Sequence, residues 1–120
     1  PDVLYRNDGH GHFSPVSWTD GTFLDEEGHP LRAAPLDWGL TAAFRDLNGD
    51  GLPDLYVCND FQTPDRIWIN DRKGNFRAIA REAVRHLCFS SMGVDFADID
   101  RDGCLDFFVN DMLTDPTGCA

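Results

Sequence analysis

Short apolar stretches alternate along this chain with clusters of Asp, Asn and Gly. "LTAAFRD" (40–46), "PDLYVCN" (53–59), "DRIWIN" (65–70) and "NFRAIAREA" (75–83) are bounded by Asx and Gly turn signals, and the pattern predicts four strands in succession. "AIAREAVRHL" (78–87) has a second reading as a helix, because its residues favour one.

The pattern recurs. A shift of 52 residues lays Leu40 on Met92, Ala42 on Val94, Phe44 on Phe96, Asp46 on Asp98, Asp50 on Asp102, Gly51 on Gly103 and Asp54 on Asp106. A shift of 63 lays "LYRNDGHGHF" (4–13) on "IWINDRKGNF" (67–76). The difference between the shifts locates an insertion in the first unit, from about Ser14 to Trp38. Its centre, "DGTFLDEEGHP", carries the turn signals of a protruding hairpin with an acidic tip at Asp25, Glu26 and Glu27. Such a hairpin serves either recognition or the shielding of a blade edge.

Four short strands repeating at roughly 50 residues suit a β-propeller, whose blades are four-stranded antiparallel sheets. The expected fold class is therefore all-β. Residues 1–38 are the end of one blade with the insertion, 39–90 one complete blade and 91–120 the start of the next. A propeller closes with about 4 to 8 blades, so the chain is expected to be a fragment of a larger propeller. The opening "PDVLYRNDG" agrees: it has no Met and reads as the middle of a strand, with any targeting signal upstream.

The turn after the first strand of each unit carries the chemistry. In Asp46-x-Asn48-x-Asp50-Gly51-x-x-Asp54, side-chain oxygens fall at positions 1, 3, 5 and 9, and the Leu52 carbonyl stands at position 7. The second loop offers Asp98, Asp100, Asp102 and Asp106, with the Cys104 carbonyl at position 7. Ca²⁺ takes six to eight oxygens, and alternate residues of a tight loop converge on one point. Mg²⁺ suits less, since it demands an octahedron and keeps its waters. An EF-hand is excluded: position 12 is Val57 or Val109 in place of Glu, and the flanks are strand-forming. The bland alternative is a pair of Asx turns.

Composition narrows the partners. With 21 acidic against 10 basic residues the formal charge is -11, which repels phosphate backbones and argues against nucleic acid. No apolar run is long enough for a membrane helix, so no membrane insertion is expected in this segment. Cys58, Cys88, Cys104 and Cys119 form no C-x-x-C pair, which leaves a zinc ribbon unsupported and their pairing open.

"FRDLNGDGLPDLYVCND", its continuation "FQTPDRIWIN", and "LYRNDGHGHF" resemble the FG-GAP/VCBS repeat of integrin-type β-propellers, and in particular the cartilage-acidic-protein group often found with an ASPIC/UnbV domain. The resemblance covers nearly the whole chain apart from the insertion. It implies that the eight acidic-loop side chains named above are calcium ligands between a blade's first two strands. Cys104 departs from the family's small or aliphatic residue, but only its carbonyl is required.

Other constellations point less far. His10 and His12 alternate in a Gly-rich hairpin with no third metal ligand nearby, and His29 and His86 stand alone. Ser90 and Ser91 lack a nucleophile-elbow motif, and no phosphate-binding Gly loop is present. Trp18, Trp38 and Trp68, at strand positions, are expected in the core before they are expected to stack on sugars. The resulting expectation is a non-catalytic, calcium-binding propeller segment of a secreted, periplasmic or cell-surface protein, an adhesion or ligand-binding scaffold for a protein or glycan. The alternative is the non-catalytic or catalytic propeller of a carbohydrate-active enzyme of the polysaccharide lyase or sugar dehydratase type; a glycosidase pair, two carboxyls a defined distance apart across a sugar, is disfavoured because the best-placed Asp residues are already assigned to calcium.

Overall fold

The computed structural model describes residues 2–61, 63–80, 83–84, 86–88 and 90–112. The described residues form strands without an α-helix. At the centre lies a meander of four antiparallel strands, β4 (Gly39–Arg45), β5 (Asp54–Asn59), β6 (Arg66–Asn70) and β7 (Phe76–Ala78). These coincide with the four apolar stretches of the sequence. The helical reading of 78–87 falls partly on residues outside those described.

A hairpin of β1 (Tyr5–Asn7) and β2 (Phe13–Pro15) precedes the insertion. A second pair, β8 (Ser91–Ala97) and β9 (Asp106–Asp111), follows the meander. Both repeat the central sheet in register. Asn7 faces Phe13 as Asn70 faces Phe76, and Phe96 faces Phe107 as Phe44 faces Leu55. Even the irregularity between Gly39 and Thr41 recurs between Ser91 and Gly93.

The strand period of two divides the core between the faces of the central sheet. Leu55 and Trp68 project to one face, where they meet Phe23 and the half-buried Leu4, Val16 and Trp18. Tyr56, Cys58 and Ile67 project to the other, where Val94, Phe96 and Val109 of the β8–β9 pair cover them. Central strand β5 is thus packed on both sides. Complete burial of Trp68, Tyr56 and Phe23 contributes about 1.5–3 kcal/mol per side chain.

The insertion forms the expected hairpin, Leu24 bridging Pro30 antiparallel around the turn that carries Asp25, Glu26 and Glu27, but it does not protrude as a free loop. Its β3 (Phe23–Leu24) lies parallel to β7 and adds a fifth strand to the outer edge of the meander. Phe23 is fully buried and packs edge-on to Trp68 with ring centroids 5.2 Å apart. One leg of the hairpin is therefore part of the sheet, and Phe23 is part of its core. Trp38 is a second departure: it is 62% exposed and meets Phe61 edge-on, whereas Trp68 is core and Trp18 half-buried. Among the described residues no helix is long and apolar enough to cross a membrane.

Candidate metal centre

The acidic loops join the first two strands of each pair: residues 46–54 connect β4 to β5, and 98–106 connect β8 to β9. Their side chains bend the backbone around themselves. Asp46 accepts the N–H groups of Asp50 and Gly51 at 3.0 and 2.8 Å, and Asp98 those of Asp102 and Gly103, both at 3.0 Å. Asn48 and Asp100 each accept the N–H two residues on at 3.1 Å. Asp50 and Asp102 accept the N–H of the position-7 residues, Leu52 and Cys104, at 2.9 and 2.8 Å. Gly51 and Gly103 turn the chain with φ of 86° and 90°, a region that a Cβ disfavours.

Position 9 closes each loop. Asp54 accepts the Leu47 N–H at 2.8 Å, and Asp106 the Ile99 N–H at 3.0 Å. Asp54 is fully buried and reaches further, accepting the Asn70 N–H at 2.8 Å. Loop and third strand are thereby tied to one carboxylate.

In the second loop these bonds gather acceptors in a small volume, whereas the Asp46, Asp50 and Asp54 carboxylates of the first form no such group. Asp98, Asp100 and Asp106 each place a carboxylate oxygen within 4.8 Å of the others, while Asp102 stands outside that group. Three hard oxygen donors at this spacing fit a divalent cation of the calcium type, and each carboxylate oxygen that accepts an N–H keeps acceptor capacity. The donor set includes no thiolate: Asp102 beside Cys104 pushes that thiol's pKa up. In the first loop the Arg72 guanidinium stands at the rim, with Nε 3.4 Å from the Asp50 carboxylate and Nη2 donating to the Asp50 carbonyl at 3.2 Å.

Sequence reasoning missed a second recurring unit. In the turns starting at Asp8, Asp25 and Asp71, one carboxylate oxygen accepts the N–H groups two and four residues on. In each, the Asp N–H returns to the carbonyl of the fourth residue. The backbone N–H groups of His10 and His29 hold the Asp8 and Asp25 carboxyls below the usual range. The signal was Asp-x-x-Gly-His/Asn in "DGHGH", "DEEGH" and "DRKGN". It accounts for three of the four histidines: His12 pairs with Asp8 at 2.9 Å, His10 lies in the same exposed turn, and His29 groups with Asp25 and Glu27.

A buried polar hub was also missed. Asp65, 3% exposed, accepts the Tyr56 and Ser91 hydroxyls, both at 2.8 Å, and the Asn59 N–H at 2.9 Å. It connects the central sheet to the first residue of β8. Burial pushes its pKa up despite these donors, and burial likewise raises the Tyr56 hydroxyl and takes the Cys58 thiol up to about 12. Cys58 is thus an inert core thiol. Cys88 is half-buried, Cys104 is exposed, and Cys119 lies outside the described residues.

Among known proteins, the family model described as FG-GAP-like repeat matches residues 46–109, 64 of the 120. The match opens on the first residue of one acidic loop and runs through the second into β9. No curated protein and no solved structure matches the chain.

Proposed function

The chain belongs to the FG-GAP-like repeat family, and from that premise we propose that it is a calcium-stabilised propeller segment that acts as a non-catalytic scaffold for binding a protein or glycan outside the cell. The observation that carries this reading is the recurrence of one loop geometry 52 residues apart, with the oxygens of Asp98, Asp100 and Asp106 drawn together. In this reading Asp46, Asn48, Asp50, Asp54 and the Leu52 carbonyl hold one ion. Asp98, Asp100, Asp102, Asp106 and the Cys104 carbonyl hold the other. A cation there offsets the repulsion between neighbouring carboxylates and fixes the start of the following strand. The finer likeness to the cartilage-acidic-protein group belongs to the same proposal.

Both loops lack the bidentate Glu of an EF-hand, so their affinity is expected in the extracellular range, Kd about 10⁻⁴ to 10⁻³ M. Calorimetric titration of the 120-residue chain with Ca²⁺ should reveal two sites, and Asp50→Ala and Asp102→Ala should each remove one. Unchanged stoichiometry in both variants refutes the assignment.

A further inference from the structure

We propose that Arg72 is a resident counter-ion of the first acidic loop and competes with calcium for the Asp50 carboxylate. The proposal rests on the reading of residues 46–54 as a calcium loop, and adds that the affinity of this loop is set from outside it, by a side chain of the β6–β7 turn. The backbone gives the first indication. Set back by 63 residues, Arg72 falls on Gly9, and the two turns are built alike. The Gly9 N–H donates to Asn7 Oδ1 at 2.9 Å, and the Arg72 N–H to Asn70 Oδ1 at 3.0 Å. Gly9 has φ of 85° and Arg72 of 67°, the left-handed region that a Cβ disfavours. A long cationic side chain thus stands where the related turn has glycine, at a conformational cost that glycine avoids.

The side chain is aimed at the loop. Asn70, which holds the Arg72 N–H, also donates its own N–H to Asp54 at 2.8 Å and its Nδ2 to the Pro53 carbonyl at 3.3 Å. The turn is thereby tied to the end of the acidic loop. From there Arg72 crosses to Asp50, with Nε 3.4 Å from Oδ2 and Nη2 donating to the Asp50 carbonyl at 3.2 Å. The same Oδ2 accepts Asn48 Nδ2 at 3.3 Å, while Oδ1 accepts the Leu52 N–H at 2.9 Å. Both oxygens of the position-5 carboxylate are therefore engaged. The second loop has Asp100 in place of Asn48, a side chain with no N–H to donate, and it is there that three carboxylates converge.

Arg72 is 66% exposed, and an exposed pair of this kind adds little to stability. Its effect falls on the ion. A carboxylate shared with a guanidinium is less available to a second cation, and two positive charges on one carboxylate repel. Removing the Arg72 charge therefore tightens the first site, and salt, which screens exposed charges, narrows the difference.

NMR titration of the chain with Ca²⁺ reads the two loops separately through the Gly51 and Gly103 amides, each bonded to position 1 of its own loop. Arg72→Gln is expected to lower the Kd read at Gly51 by about three- to tenfold at low salt and to leave that at Gly103 unchanged. Arg72→Lys, which keeps the charge, should keep the wild-type value. In about 1 M KCl, where the screening length falls to about 3 Å, the gain of the Gln variant should disappear. Should Arg72→Gln fail to fold, Arg72→Asn, which suits the left-handed backbone, replaces it. If Arg72 instead positions Asp50 for the ion, Arg72→Gln weakens the first site, and that result overturns the proposal. A gain that persists at high salt overturns it equally. Ca²⁺ that moves neither amide overturns the calcium reading and this inference together, whereas binding that does not respond to Arg72→Gln overturns the inference alone.

Discussion

Asp54 and Asn70 are joined by a 2.8 Å hydrogen bond from the Asn70 backbone N–H to a carboxylate that is fully buried and also holds the Leu47 N–H. One side chain thus fixes the acidic loop, the start of β5 and the end of β6. Its counterpart Asp106 is exposed and accepts, among the described bonds, from Ile99 alone.

Asp54→Asn turns one acceptor into a donor that faces a buried N–H. Its expected cost is about 2–4 kcal/mol, against less than about 1 kcal/mol for Asp106→Asn, whose N–H partner can turn to water. Urea unfolding of both variants in chelator isolates this difference from any ion. Equal losses would mean that burial of Asp54 contributes nothing.

Removing calcium should lower the melting temperature. At about 2 mM free Ca²⁺ and the expected affinities, each site adds about 0.6–1.8 kcal/mol. Differential scanning calorimetry with and without chelator measures it, and superimposable curves would reduce the loops to turns.

Asp65 should make stability fall as pH rises. Its carboxyl pKa is raised in the folded state, chiefly by burial and further by Asp111, so the folded chain holds this proton more tightly than the unfolded one. The stabilising contribution is fully present below the unfolded pKa and is lost as pH rises from there through the raised folded pKa. Asp65→Asn keeps an acceptor for the Asn59 N–H and should remove that decline. The readout is the difference between the two stability profiles across pH, and parallel profiles would contradict it.

Phe23→Ala should cost about 3–5 kcal/mol, the range for truncating a buried aromatic residue. Glu26→Gln and Glu27→Gln in the adjacent turn should change stability by less than about 0.5 kcal/mol. Chemical denaturation checks both. A small loss for Phe23→Ala would restore the insertion to the role of a dispensable surface loop.

The strands and the acidic loops were legible because both are local. Short unbroken apolar runs such as "DLYVCN" and oxygens at alternate positions of a tight turn are written into consecutive residues, and a shift of the chain against itself exposes their repetition. Phe23 was not legible, since nothing near it in sequence shows that Trp18, Trp68 and Phe76 will surround it. Asp65 was hidden for a similar reason: its partners Tyr56 and Ser91 come from different sheets. Trp38 went astray because an aromatic residue at a strand's edge looks the same in sequence whether it turns inward or meets Phe61 in water.

The parallel pairing of β3 with β7 has a kinetic consequence. β3 is made before any strand of the meander, yet its partner is the last of them, so Phe23 and Phe76 meet across some fifty intervening residues. Closing so long a loop costs chain entropy before the pairing rewards it. During synthesis β3 must therefore wait while β4 to β7 form by local turns, and only then settle on the finished edge. The final contact of the sheet is made by the segment that emerged first, and until that moment the outer strand presents open hydrogen-bonding groups to any neighbouring chain.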